Sequence, residues 1–585
     1  MTTQRPHGLE ADYPPQALRD YALIADGHRG ALIGPRGDIT WLCAPRWDSP
    51  AVFSHLVGGD GLYALTPDAP FVWGGSYEPD SMIWRSRWVA DDTATVQSRE
   101  ALAYPGEADR LVLLRRVWST GGPARVSVLL RVSAEFGRRP MERPKLDQHG
   151  RWTARVGELR LRWSGAAAAR WEDHALRLEL DLDPDRPHDL VLELSDRPLA
   201  DPVDPDQAWS ATTQAWTEQV PDLSRTAAPR DAAQAYAVLR SLTDPGGGMV
   251  AAATLGLPER AKAGKNYDYR YAWIRDQVYA GLACAVDEPL PLFDDAVAFT
   301  TARLLEHGDA LSPGYRVDGS PIPGEEQLDL PGYPGGTVVV GNWVRRQFQL
   351  DALGEMLELL AAGLRLDRLD THHVEAIDLA IDVIARRWNE PEAGIWELDD
   401  AWWTQSRLAA VAGLRAVAHE LPASQAGRAA TLADAVLAET GRRALGTDGA
   451  WMRSPDHPGV DASLLLPAVR GALPADDPRT VNTLAKVEAD LVQDHHVYRY
   501  RPDGRPLGEA EGAFTLCGFI MSLAHLQQGN AVAAYRYFDV QRTVCGSPGI
   551  LTEEFDVQQR QLRGNTPQAF VHAMLLETAQ RLGRA

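Results

Sequence analysis

The sequence predicts a multidomain β + α protein, an N-terminal β-sandwich followed by a closed (α/α)6 barrel. Three observations carry this. Short period-2 alternation gives way near residue 225 to a helical period. Twelve helical segments follow. The links between those segments alternate short and long. The expected domains are 1–225, a sandwich with its linker, and 226–585, the barrel.

The sandwich rests on alternating runs at 31–33, 39–43, 111–118, 125–131, 159–163, 176–182 and 190–194. Turn residues such as Gly34-Pro35-Arg36-Gly37 and Asp183-Pro184-Asp185 separate them. The Pro- and Asp-rich stretch 198–206 reads as the start of a linker. Helices are expected at about 230–243, 274–287, 290–306, 342–363, 371–387, 403–420, 424–444, 460–472, 478–493, 512–528, 530–545 and 566–582. Links after the even-numbered helices are about 1–7 residues, and those after the odd-numbered ones about 15–35. Six hairpins with every long loop at one end describe a toroid with one elaborated face. Long loops on a rigid scaffold are where chemistry is placed. No fixed repeat period supports an open solenoid instead.

Composition narrows the function. The 585 residues carry 59 Lys+Arg against 80 Asp+Glu, a net charge of −21. That balance argues against nucleic acid and anionic membrane as partners. Only four cations are lysine (Lys145, Lys262, Lys265 and Lys486), a bias that needs no functional reading. The four cysteines, Cys43, Cys284, Cys517 and Cys545, are scattered and read as buried thiols. No secretory pattern occurs over Met1 to Gln16, and no apolar run reaches 18 residues, so a cytoplasmic location is expected. There is no phosphate-binding G-x-x-x-x-G-K-[ST] and no H-E-x-x-H. His372-His373 and His495-His496 are adjacent pairs whose side chains diverge, so no metal and no cofactor is called for. The Gly-rich run 244–248 reads as a flexible turn.

The long loops hold the candidate chemistry. Asn266 to Asp276 packs three tyrosines, Trp273, two arginines and two aspartates into eleven residues. Such a segment suits a polyhydroxylated ring, with aromatic faces on its C–H bonds and Arg and Asp on its hydroxyls. A helix start with a structural ion pair reads equally well. Glu325, Glu326 and Asp329 read as solvated charges. Glu397 in Gly394-Ile395-Trp396-Glu397 is flanked by Trp396 and Leu398, and desolvation there would favour the protonated form of a general acid. As an isolated loop residue it reads as an exposed carboxylate. Tyr498-Arg499-Tyr500, Glu511 and the pair Glu553-Glu554 complete the set. Carboxylates converging among aromatics are the apparatus of glycoside hydrolysis.

The whole chain resembles glycoside hydrolase family 15, the glucoamylase family, in its bacterial two-domain form, which includes bacterial trehalases. The resemblance runs through residues 18–24, 37–43, 45–50 and Tyr267 to Asp276. It continues through Val340-Gly341-Asn342, Gln349-Leu350-Asp351, Gly354-Glu355, Gly394 to Glu397, Asp461 to Leu464, Tyr498-Arg499-Tyr500, Glu511-Gly512 and Pro567 to Phe570. It implies an N-terminal β-supersandwich, an (α/α)6 barrel and an inverting reaction. Glu397 then matches the general acid and Glu553 the general base, with Glu554 as rival. Arg275 and Asp276 match the pair that grips the non-reducing glucose, Trp273 matches a pocket aromatic, and Arg499 matches a further sugar-binding arginine. Tyr269, Trp396, Glu554 and Glu511 complete the expected substrate contacts. Gln405 and Arg407, after Trp402-Trp403, depart from the family pattern beside the acid and put the leaving-group pocket in question.

The expected activity is exo-acting release of β-glucose from small neutral α-glucosides, glucoamylase-like. A trehalase of the same family is the alternative. A phosphorylase on the same barrel, or a non-catalytic carbohydrate-binding protein, is more remote. Self-association as a homo-oligomer stays open.

Overall fold

The structure, a computed structural model, describes residues 13–90, 94–260, 264–502 and 504–584. Lys262 and most of the Met1 to Gln16 segment lie outside the described residues. The N-terminal half forms two antiparallel sheets of eight strands. The first runs in the order Ala22–Ala25, Gly30–Ile33, Asp38–Cys43, Leu62–Pro67, Ala124–Arg131, Ala175–Leu182, Arg170–Glu172, with Ala51–Phe53 pairing beside Asp38–Cys43. The second runs Glu142–Leu146, Trp152–Val156, Leu159–Ser164, His188–Ser195, Arg110–Thr120, Thr95–Leu102, Trp84–Val89, Val72–Tyr77.

One apolar core lies between the sheets, with Ile24, Ile39 and Tyr63 from the first and Trp84, Leu113 and Trp163 from the second. Arg115 ties the sheets together. It is fully buried, donates to Glu100 (2.5 Å) on its own sheet, and reaches Gly37 O (2.6 Å) and Tyr63 O (3.1 Å) across the core. A buried charge is tolerable only when paired and hydrogen-bonded in this way.

The first three strands of the first sheet are buried on both faces. In Ala22–Ala25, Ala22 and Ile24 join the core between the sheets, while Leu23 and Ala25 join the core shared with the helices. Their unbroken apolar run has that cause. Trp84–Val89, with one face in solvent, alternates buried and exposed residues strictly.

The stretch expected as a linker contains a helix, Pro205–Gln219. Asp204 caps it, accepting from Gln207 N at 2.9 Å, and proline opens its first turn. It buries Trp209 and Trp216 against the sheets, with Trp216 stacked on Tyr104 at 4.1 Å.

Helices then fall close to the expected places. Ile274–Ala283, Leu350–Arg365, Thr404–Ala418, the turns Ala462–Val469, Thr515–Gln527 and Ala569–Gly583 pack each on the next, and the last packs on the first. All are buried almost all round. Outside them, Pro229–Leu242, Pro291–His307, Thr371–Arg387, Ala423–Ala444, Pro478–Leu491 and Ala531–Arg542 each back an inner element. These are amphipathic: Thr371–Arg387 buries Ala376, Ile377, Ala380, Ile381, Val383 and Ile384. Two expected spans differ. Residues 342–363 begin as a separate turn, Trp343–Arg346, and 460–472 shrinks to short turns. Glycine sets one close approach. A Cβ on Gly413 would lie 2.0 Å from Gly354 O, so the helices Leu350–Arg365 and Thr404–Ala418 meet backbone to backbone.

The two halves are joined through buried polar contacts. Trp41 Nε1 donates to Ala253 O (2.8 Å), and Arg316 pairs with Asp48 (2.9 Å). Arg270, 1% exposed, forks onto Asp268 and donates to Ser49 O (2.7 Å) on the sheet side. The Gly-rich turn at 244–248 is also a joint, since Asp244 accepts from the His28 imidazole at 2.8 Å. Among the described residues no helix is long and apolar enough to cross a membrane.

Candidate active site

The long loops all precede the N-termini of the inner helices, so their residues gather at one end of the ring. Trp273 pairs with Gly314 in a two-stranded clip, and the chain turns directly into Ile274–Ala283. This fixes Trp273, Arg275 and Asp276 on one turn. Trp273 Nε1 donates to Glu397 Oε1 at 2.8 Å. Arg275 donates to Ile395 O (2.8 Å), lies 3.5 Å from Glu397 and pairs with Asp276 at 3.2 Å. Asp276 is fully buried and meets the site through Arg275.

Glu397 closes a tight turn, with its N–H on Gly394 O at 3.0 Å and its φ at 55°. A non-glycine residue in the left-handed region costs about 1–2 kcal/mol, so the surrounding contacts hold it there. The side chain keeps 20% exposure. Burial raises its carboxyl above the ordinary range, against the opposing Arg275 charge and the Trp273 hydrogen bond. The group is therefore suited to hold a proton and hand it to a ligand.

Glu553 and Glu554 sit at the start of the strand Glu554–Asp556, which pairs with Ala513–Phe514. Strand alternation sends neighbouring side chains opposite ways. Glu553 faces the Tyr269 hydroxyl at 3.3 Å, and Glu554 accepts from Gly512 N at 2.8 Å, with Arg499 at 3.9 Å. Burial first, and then the neighbouring Glu259, push both carboxyls well up. Glu511 departs the other way. Burial acts to raise it, but the charges of Arg499 (2.7 Å) and Lys265 (3.1 Å) hold it below its ordinary value.

Between Glu397 and Glu553 stands an aromatic wall. Tyr267 and Tyr269 stack at 5.9 Å, and Tyr269 meets Trp273 edge-on at 5.6 Å. Trp396 is half-buried, donates to Asp461 at 2.9 Å and meets Phe514 edge-on. Arg499 lies over Phe514 at 4.3 Å. The structure thus brings together Trp273, Arg275, Asp276, Tyr269, Trp396, Glu397, Arg499, Glu511, Glu553 and Glu554.

One of the departures beside Glu397, Arg407, turns out to be packing. Arg407 is fully buried, donates to Glu392 (2.6 Å) and lies over Trp402, as does Arg443. Trp403 stacks on His457, and Trp451 is core. Gln405 lines a small enclosed cavity behind Trp396 with Trp403, Arg453 and Asp461. Glu259 and Phe514 were not singled out from sequence, Lys265 was noted only as one of four lysines, and Asp461 only as part of the family resemblance. Glu259 in Leu257-Pro258-Glu259 carries no local signal, since its partners lie far along the chain. No group of three His, Cys, Asp or Glu side chains among the described residues is arranged to hold a metal ion.

The family model described as glycosyl hydrolases family 15 matches residues 232–531 and 522–580, and a trehalase-like N-terminal model matches 8–154. A trehalase of Mycobacterium tuberculosis is 28% identical over 99% of this chain and 91% of its own. A trehalase of Mycolicibacterium smegmatis is 28% identical over 99% and 92%. The solved structure of a bacterial glucoamylase complexed with acarbose superposes with a TM-score of 0.70 at 14% identity, covering 97% of this chain and 94% of that one.

Proposed function

The chain belongs to the family 15 glycosyl hydrolases and is a glycoside hydrolase, and from that premise we propose that it is a trehalase, cleaving the α,α-1,1 bond of trehalose with inversion. The observation that carries the substrate is the match to relatives named trehalase over nearly the whole chain. The glucoamylase-like reading expected from sequence has weaker support, because the glucoamylase resemblance at 14% identity concerns the fold alone.

In this reading Glu397, whose protonated form burial favours, gives its proton to the glycosidic oxygen. Glu553 takes a proton from a water attacking the opposite face of the ring. Trp273 and Arg275 hold Glu397 in place, and Asp276 orients Arg275. Tyr267 and Tyr269 offer a stacking face to the sugar. Arg499 and Glu511 add a buried, charged hydrogen-bonding pair beside Glu554.

The closed sequence of inner helices supports an (α/α)6 barrel, and the end of the last sheet strand at Ser195 supports a domain division at 225/226 once the helix Pro205–Gln219 is grouped with the sheets. Four unpaired thiols support a cytoplasmic location.

The test is incubation with trehalose, maltose, isomaltose, kojibiose and nigerose, following the anomers of released glucose by NMR. Inverting cleavage of trehalose yields one β-glucose and one α-glucose at first. Turnover of maltose with trehalose untouched would restore the glucoamylase-like reading. Release of two α-glucose molecules would remove the inverting mechanism.

A further inference from the structure

A third carboxyl lies against the residue assigned as base. Glu259, 5% exposed, comes from the loop before Tyr267. The Tyr269 hydroxyl stands between the two, 3.4 Å from Glu259 Oε1 and 3.3 Å from Glu553 Oε2. Both side chains pack on Gly564, where an added Cβ would touch Glu259 Cγ and Glu553 Cβ, each at 3.6 Å.

Donors are scarce there. Among the described residues the Tyr269 hydroxyl is the one donor from outside the pair, and it carries one proton, while Glu259 and Glu553 hydrogen-bond to each other. The nearby cations are committed elsewhere, because Arg499 forks onto Glu511, Lys265 also bonds Glu511, and Arg275 bonds Ile395 O. Facing the pair are Arg499, Lys265, Arg275, Tyr267, Glu397, Glu511 and Glu554. Two buried carboxyls this close do not both ionise, and such a pair titrates as a unit.

We propose that Glu259 and Glu553 form one functional pair carrying a single proton, with Glu259 the positioning residue that holds that proton and leaves Glu553 free to accept another from the attacking water. This rests on Glu553 being the base. In the reaction the water loses one proton to the pair as its oxygen bonds to the anomeric carbon. Glu397 loses one proton to the departing oxygen as the old bond breaks. The doubly protonated pair then releases a proton to solvent, and Glu397 regains one, so the cycle balances. The arrangement also gives Tyr269 a role besides stacking, since its hydroxyl sets the spacing of the pair.

The test is Glu259→Gln, with Glu553→Gln beside it, assayed as kcat/KM against pH on whichever substrate the parent protein hydrolyses. Without the neighbouring O–H, which the Gln amide replaces with a weaker donor, the Glu553 carboxylate is less stabilised and ionises at higher pH. The acid limb should move up by about one unit, the coupling that defines such a pair. Glu553→Gln should instead lose about two to four orders of magnitude at every pH. An unmoved limb in Glu259→Gln, or a uniform loss across pH, would overturn the pair and leave Glu259 a structural residue.

A second measurement does not depend on turnover. Infrared difference spectra of the substrate-free parent minus each variant at neutral pH should show the loss of one protonated carboxyl in both variants, because either partner alone ionises. Unchanged protonated-carboxyl intensity in either variant would overturn the pairing. A parent without glycosidase activity would overturn the proposed function while leaving this spectroscopic result to stand or fall alone.

Discussion

Replacing Trp273 with phenylalanine removes one hydrogen bond to the proposed acid and little else. The indole is 1% exposed, and its N–H sits 2.8 Å from Glu397 Oε1. That bond favours the ionised carboxyl, as does Arg275 at 3.5 Å, while burial favours the neutral form. A hydrogen bond to a charged group contributes about 1.5–3 kcal/mol, and one pKa unit corresponds to about 1.36 kcal/mol. Arg275 remains and recovers part of the loss, so the shift should fall near the lower end, about one unit. A general acid works while protonated, and kcat/KM falls as pH climbs through its pKa. Losing the bond keeps Glu397 protonated to higher pH, so the basic limb should move up by about one unit. Plateau kcat should drop as well, since the carboxyl loses its guide. The assay is initial-rate hydrolysis of trehalose from pH 4 to about pH 9, with thermal melting as a control for the smaller ring. A basic limb that stays put, or moves to lower pH, would refute the assignment of Trp273 as the group tuning Glu397.

Three further outcomes follow from the packing and the charges. Glu397→Gln should lose about two to four orders of magnitude in kcat while still binding trehalose by calorimetry; retained turnover would remove Glu397 from the mechanism. Gly413→Ala places a methyl 2.0 Å from Gly354 O, and should cost about 1–3 kcal/mol by urea unfolding. Glu577 is fully buried, which acts to raise its carboxyl, but Arg470 and Arg581 outweigh that and hold it at about 2, below the ordinary 4.5. Its folded pKa is depressed, so its stabilisation is present above pH 4.5 and is lost as pH falls toward 2. That loss should total about 3 kcal/mol, and Glu577→Gln should show a flatter stability profile between those pH values.

Periodicity made the helical half legible, because each outer helix must show one apolar stripe to its neighbour, as Ala376, Ile377, Ala380 and Ile384 do. The sheet half was legible in outline. Strands such as Trp84–Val89 alternate cleanly, but Ala22–Ala25 is too short and too evenly apolar to announce its two faces. The helix Pro205–Gln219 was hidden by its own start signals, since Asp204 and Pro205 also mark a linker. At the site, Glu397 and Glu553 stood out through the family resemblance. Glu259 did not, because the contact that gives it meaning is made to a residue at the far end of the chain. The packing of Trp402 was not legible, because one of the two guanidinium groups that cover it, Arg443, comes from another helix.

The contact of Arg270 with Ser49 O has an evolutionary reading. Arg270 lies three residues before Trp273, and its guanidinium is satisfied partly by backbone oxygens of the sheet half. The segment that carries the reactive apparatus is thus seated on a surface encoded more than two hundred residues earlier. A gene fragment encoding the helices alone would keep the fork onto Asp268 but inherit a buried cation short of its backbone acceptors. A shuffled partner would have to present carbonyl oxygens at the same seam. Change on one side of that seam is tolerated where the other side compensates.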